Sequence, residues 1–157
     1  MYRKILVPVD GSEASASGLR EAIRLAKSTG ATLQIVHVVD ELLFEPSLLS
    51  REPYEQLIES LRLSGKKVLD EAKSATRDAG VEFVTELIET VGGRVSSLIL
   101  DAVRQANADL IVMGTHGKRG LKRLLMGSDA EMVLRSSPVP VLFVRPSTER
   151  DARLEST

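Results

Sequence analysis

The stretch Ile5-Leu6-Val7-Pro8-Val9-Asp10-Gly11-Ser12 carries the first clear sign of the fold. An apolar run with so little polar interruption reads as a strand buried on both faces. Asp10-Gly11-Ser12 then breaks it with turn-forming residues. The next apolar positions, Leu19, Ala22, Ile23 and Ala26, recur at i, i+3, i+4 and i+7, one face of a helix. Gly30 stands where a helix C-terminus favours glycine. A second apolar run, Leu33 to Val39, follows. Strand, corner, helix and strand in this order are the start of a parallel α/β sheet.

The rest of the chain repeats the alternation. Asp40 to Glu52 has no period, and Pro53 suits the first residue of a helix. Leu57, Ile58, Leu61, Val68, Leu69, Ala72 and Ala79 give that helix an apolar side, ended by Gly80. Val81 to Ile88 reads as a third strand whose Glu82, Thr85 and Glu86 predict a wet face and an edge position. Gly92-Gly93 precede a helix with Val95, Leu98, Ile99, Ala102, Val103 and Ala106 on one side. Leu110 to Met113 is the fourth strand, Ser128 to Arg135 a short helix, and Val139 to Val144 the fifth strand. Pro138 and Pro140 put that last strand at an edge, because proline cannot donate to a ladder. Right-handed crossovers and two edges, strands three and five, leave a doubly wound five-stranded parallel α/β sheet of order 3-2-1-4-5, with helices on both faces. Strand one is then central, so Pro8 belongs at its end. Residues 1–146 form one domain in this reading, and 147–157 a polar tail without a period.

Composition excludes several classes. The 157 residues are 43% apolar and 27% charged, with 21 basic and 22 acidic side chains and a net charge of −1. Such a balance argues against a protein that holds nucleic acid or an anionic membrane through bulk charge. No cysteine is present, which removes disulfides and thiolate chemistry. The short apolar start at Ile5 lacks the length of a signal peptide, so a cytoplasmic location is the expectation.

In the predicted order the winding reverses between strands one and four, and ligands of open α/β sheets bind at such a point, beyond the strands' carboxyl ends. Asp10 and Gly114 lie there. The segment from Gly114 to Ser128 holds glycines at 114, 117, 120 and 127. Glycines let a phosphate approach backbone N–H groups. Gly127-Ser128 opening a helix adds the anion-favouring helix start, with Ser128 as hydroxyl donor and candidate cap. Lys118, Arg119, Lys122 and Arg123 would raise the local potential for a polyphosphate, although each alone reads as solvated surface. His37 reads as a packed, hydrogen-bonded strand residue. Neither it nor His116 has partners at metal spacing. Glu86 and Glu89 read as surface charges of an edge strand.

Gly114-x2-Gly117-x9-Gly127-Ser128, the opening Ile5 to Ser12 and the closing Ser137 to Val144 resemble the ATP-binding universal stress proteins. The resemblance spans about residues 2 to 146. It implies a five-stranded parallel sheet, a homodimer, and ATP held without a Walker loop. By it, Asp10 lies near the adenosine or a phosphate-bound Mg²⁺, Val38 and Val39 line the adenine pocket, and Gly114, Gly117, Gly127 and Ser128 surround ribose and phosphates. Pro8, Val9, Met113, Thr115, Arg119, Gly120, Asp129 and Ala130 complete the expected contact set. ADP and AMP are further candidates. Many relatives carry a small apolar residue and then a hydroxyl residue after the Gly-Ser pair; here Asp129 and Ala130 stand instead. A carboxylate there repels terminal phosphates unless a cation intervenes.

No nucleophile–base pair and no Gly-x4-Gly-Lys-Ser/Thr loop is present, so a binding module with at most slow hydrolysis is expected. A phosphoacceptor receiver domain would need an aspartate ending strand three, where Leu87-Ile88-Glu89-Thr90 stands. A flavin site would want aromatic residues, which are 3% of the chain. The remaining alternative is a nucleotide-free, dimeric interaction protein. Val139 to Val144 is an apolar edge that a two-fold copy would cover, which predicts a homodimer through that strand.

Overall fold

The computed structural model describes residues 1–41, 51–116 and 126–146. The chain runs β1 (Lys4–Pro8), α1 (Glu13–Thr29), β2 (Thr32–Asp40), α2 (Arg51–Asp78), β3 (Phe83–Thr90), α3 (Val95–Ala106), β4 (Leu110–Gly114), α4 (Ser128–Ser136) and β5 (Val141–Val144). All strand pairs are parallel, in the order β3-β2-β1-β4-β5. The predicted topology is the observed one, and Pro8 closes β1, where its missing donor costs little.

The period-two alternation of the central strands sorts the core into two layers. Ile5 and Val7 of β1 face the layer of α1 and α2, with Leu19, Ala22, Leu69 and Ala72. Leu6 faces the layer of α3 and α4, with Ile99, Val103, Ala130 and Val133. Leu33, Ile35, Ile111 and Val112 have no exposed surface at all. That explains why these strands read as unbroken apolar runs.

Some boundaries differ from the sequence reading, each for a local reason. The third strand starts at Phe83, not Val81, because the Val81 N–H is spent on Thr76 O at 3.3 Å in the turn after α2. It then stays paired to β2 as far as Asp40↔Thr90. The fifth strand starts at Val141, not Val139. The Val139 N–H bonds Ser137 Oγ at 3.2 Å, and Pro140 contributes only a carbonyl, to Ile111 N at 3.0 Å. Helix α2 begins at Arg51, two residues before Pro53. Proline is tolerated there because the first-turn N–H groups have no intrahelical partner. The 147–157 tail and most of the irregular segment after Asp40 lie outside the described residues.

Candidate functional site

Strands β1 and β4 are paired at Ile5↔Leu110 and Leu6↔Ile111. Beyond that point β1 stays with β2 through Pro8↔Val36, while β4 stays with β5 through Gly114↔Val144. The seam opens into a cleft of about 420 Å³ over the carboxyl ends of the strands. That volume lies within the range of small-molecule sites.

One wall is the β1–α1 corner, with Pro8, Val9 and Asp10 in the lining. Asp10 Oδ1 accepts the Ser12 N–H at 2.9 Å, and Ser12 Oγ accepts the Ser15 N–H at 3.1 Å. Ser15 Oγ accepts the Asp10 N–H at 3.2 Å. Ser12 therefore caps α1, and the Asp10 carboxylate shapes the turn that brings the chain there. The second wall comes from β2, with Val38 and Val39 as expected. His37 joins them, and its Nδ1–H donates to Val9 O at 2.7 Å, tying the ends of β2 and β1 together. Its position within a strand predicts a packing role but not a place in the cleft. Leu61 and Ser64 of α2 and Val95 and Ile99 of α3 also line the cleft. The helical spacing of Leu61, Val95 and Ile99 predicts only an apolar face, and Ser64 carries no sequence signal of its own.

Met113, Gly114, Gly127, Ser128, Asp129 and Ala130 supply the third wall. Gly114 has a structural reason of its own. A Cβ there would lie 2.6 Å from Ala14 C and 2.7 Å from Ala14 O, so its bare backbone admits the start of α1. Gly127 differs. Its φ of −63° and ψ of 153° suit any residue, and an added Cβ would come no closer than 3.4 Å, to His116 Cα. Thr115 is not part of the lining: its N–H bonds Val144 O at 3.2 Å and its carbonyl accepts Gly127 N–H at 2.9 Å. His116, next in sequence, lines the cleft instead. Gly117, Arg119 and Gly120, together with Lys118, Lys122 and Arg123, fall outside the described residues.

The start of α4 faces this space. Its N-cap is Gly127, not Ser128, and no side chain caps it. Ser128, Asp129 and Ala130 form the first turn, whose N–H groups a helix leaves without intrahelical partners; the ladder begins with Glu131 N to Gly127 O at 2.9 Å. The Asp129 carboxylate turns sideways, and its Oδ1 accepts the Ser96 N–H of α3 at 3.1 Å. Donors for an anion and an apolar floor thus share one cleft, a combination that fits a nucleotide. Among the described residues no group of three or more His, Cys, Asp or Glu could hold a metal ion. A cation at Asp10 would therefore draw most of its ligands from phosphate and water.

Among the described residues, the two groups with displaced pKa values, Arg62 and Asp109, lie outside the lining. On α2, the hydrogen bond from Arg62 Nε to Glu89 Oε1, 2.8 Å, and that carboxylate's charge raise the guanidinium above its usual value. Arg62 also reaches Glu41 at 3.2 Å, so it pins α2 to the ends of β2 and β3. Glu86 accepts from Gln34 Nε2 at 3.3 Å. At the amino ends of β1 and β4, desolvation pushes the Asp109 carboxyl up, but the N–H groups of Arg3 and Lys4 outweigh it and hold the group below its usual value.

Residues 1–145 match the Universal stress protein family. Universal stress protein MJ0531 of Methanocaldococcus jannaschii is 37% identical over 145 residues, covering 92% of this chain and 83% of that protein. The structure of universal stress protein UspA from Lactobacillus plantarum superposes with a TM-score of 0.79 at 26% identity, over 92% of this chain and 98% of the other. The universal stress protein from Archaeoglobus fulgidus, in complex with dAMP, superposes with a TM-score of 0.66 at 25% identity, over 90% and 97% of the two chains. No helix among the described residues is long and apolar enough to cross a membrane.

Proposed function

This chain belongs to the universal stress protein family, and on that premise we propose that it binds an adenine nucleotide (ATP, ADP or AMP) in the cleft between β1 and β4. It acts as a nucleotide-dependent stress-response module of the cytoplasm, with little or no turnover. The observation that carries this reading is the start of α4, capped by a glycine and turned into a cleft of about 420 Å³. Free helix-start N–H groups and the dipole favour phosphate there. Val38, Val39 and Met113 offer apolar surface for the base. Gly117, Arg119 and Gly120 extend the phosphate side, and Asp10 orients Mg²⁺ through water where a metal accompanies the phosphates. The A. fulgidus relative bound to dAMP supports the choice of adenine.

The functional unit in this reading is a homodimer through the β5 edge, which β4 leaves unpaired on its outer side. Leu142 is exposed on that strand. Light scattering at micromolar protein should give twice the chain mass; a monomer would remove the dimer from the proposal.

Isothermal titration with ATP, ADP, AMP and GTP tests the ligand. Saturable binding of adenine nucleotides at micromolar to low millimolar concentration is expected, with GTP much weaker. If no adenine nucleotide binds, the chain is instead a nucleotide-free interaction protein, a reading that the Asp129 carboxylate in the lining favours.

A further inference from the structure

Two helix starts meet over the cleft. Counted from the N-caps Gly127 and Arg94, Asp129 and Ser96 are the second residues of α4 and α3. The Asp129 carboxylate spans them, accepting the Ser96 N–H at 3.1 Å. Neither N-cap residue supplies a side-chain cap of its own. A helix start attracts anions through its N–H groups and its dipole. At α3 that attraction is already met, by an anion belonging to the chain. Asp129 also lines the cleft beside Gly127 and Ser128.

We propose that Asp129 sets the phosphate length the cleft accepts. Its carboxylate stands in the lining beside the α4 turn, held there by the Ser96 N–H, and it repels further negative charge. The protein therefore selects a nucleoside monophosphate over the triphosphate. This inference rests on the cleft being an adenine-nucleotide site. A first phosphate takes the α4 turn, where the N–H groups of Ser128 and Ala130 flank Asp129. A second and third phosphate would bring more negative charge beside that carboxylate. Were Asp129 merely a tether between α3 and α4, its acceptor oxygen would matter and its charge would not.

The test separates charge from hydrogen bond. AMP and ATP are titrated, in EDTA, into the full chain, into Asp129→Asn and into Asp129→Ser. Asparagine keeps an oxygen for Ser96 N–H and removes the charge; serine serves if the asparagine variant folds poorly. The wild type should bind AMP at least as tightly as ATP. Asp129→Asn should raise ATP affinity about tenfold, about 1.4 kcal/mol at 25 °C, and change AMP by no more than about threefold. Rising salt should shrink the wild-type discrimination, since a partly exposed charge is screened.

An ATP-to-AMP ratio that is unchanged in both variants, with AMP still bound, overturns this inference and leaves the nucleotide site standing. A titration with Mg²⁺ in which the wild type binds ATP more tightly than Asp129→Asn makes Asp129 a cation ligand, and overturns it too. If neither nucleotide binds any of the three proteins, the cleft reading falls and takes this one with it.

Discussion

The same two strands, β1 and β4, meet opposite fates at their two ends. At the amino end the seam is sealed. The Asp109 carboxylate accepts the N–H of Arg3 at 2.9 Å and that of Lys4 at 3.1 Å, and the Asp109 N–H returns to Lys4 O at 2.9 Å. At the carboxyl end the strands part after Leu6↔Ile111, and between them lies a cleft bordered by a helix start with no side-chain cap. A parallel sheet with a winding reversal must open somewhere at this seam, because its crossovers leave to opposite faces. In this molecule the chain's own carboxylate seals the end where the strands start. The other end keeps its donors for something else. A hydrogen-bonded seam and an open cleft are thereby placed at opposite ends of one strand pair.

Gly114 tests how complete that separation is, because it sits at the open end yet serves packing. In Gly114→Ala the new methyl would meet the Ala14 backbone at 2.6–2.7 Å, which only a shift of α1 can relieve. Overpacking of this kind costs roughly 1–3 kcal/mol, and the upper part of that range applies because the obstacle is main chain. At about 2–4 °C per kcal/mol for a chain of this size, the melting temperature should fall by about 4–12 °C. Calorimetric melting checks it. A variant as stable as wild type would mean that α1 is not seated on Gly114, and the packing half of the comparison would be wrong.

The sealed end should show its worth through pH. Asp109 has its pKa lowered in the folded state, so it binds its proton less readily folded than unfolded. Its contribution is thus full above the unfolded value of about 3.9 and disappears as pH falls through the folded one. Asp109→Asn removes the charge and keeps one oxygen acceptor. Hydrogen bonds to charged groups contribute about 1.5–3 kcal/mol, and a half-exposed group retains the lower part. The variant should be less stable by about 1 kcal/mol at pH 7, and the gap between urea melts of the two proteins should shrink as pH falls below about 3.9. A difference that persists undiminished at pH 2 would assign the effect to shape rather than charge.

Much of this asymmetry was legible in the sequence, and the residues show why. The polar face of the third strand and the two prolines near Val139 predict the two edges, and with right-handed crossovers they set the order and the position of the crevice. Asp10 and the Gly127-Ser128 pair fell at strand and helix ends, where pattern reading is strong. His37, His116, Leu61 and Ser64 were not placed in the cleft, because helix and strand periods report which face is buried and not what stands across from it. From the sequence, Asp129 is expected to face phosphate. Its bond to Ser96 joins residues 33 apart, a pairing that only the packing of α3 on α4 creates. The reason for Gly114 was hidden likewise, since Ala14 is a hundred positions away in sequence.

Gly127 sharpens the comparison because it is the counterpart of Gly114. Both are glycines of one predicted motif, both line the cleft, and an added methyl would clash with main chain at one and make ordinary van der Waals contact at the other. Gly127→Ala keeps an extended backbone that alanine adopts freely, at φ −63° and ψ 153°. Alanine is a poorer N-cap than glycine by about 0.5 kcal/mol, and the loss of unfolded-chain freedom offsets that by about as much. The melting temperature should therefore move by no more than about 2 °C. Its effect should fall on binding: a methyl at the rim of the α4 turn holds a phosphate away from the N–H groups, and adenine-nucleotide affinity should drop about tenfold, about 1.4 kcal/mol. Melting and titration of the same sample measure both. Unchanged affinity in a fully stable Gly127→Ala would place the phosphate elsewhere and reduce the open end of the seam to a gap between strands.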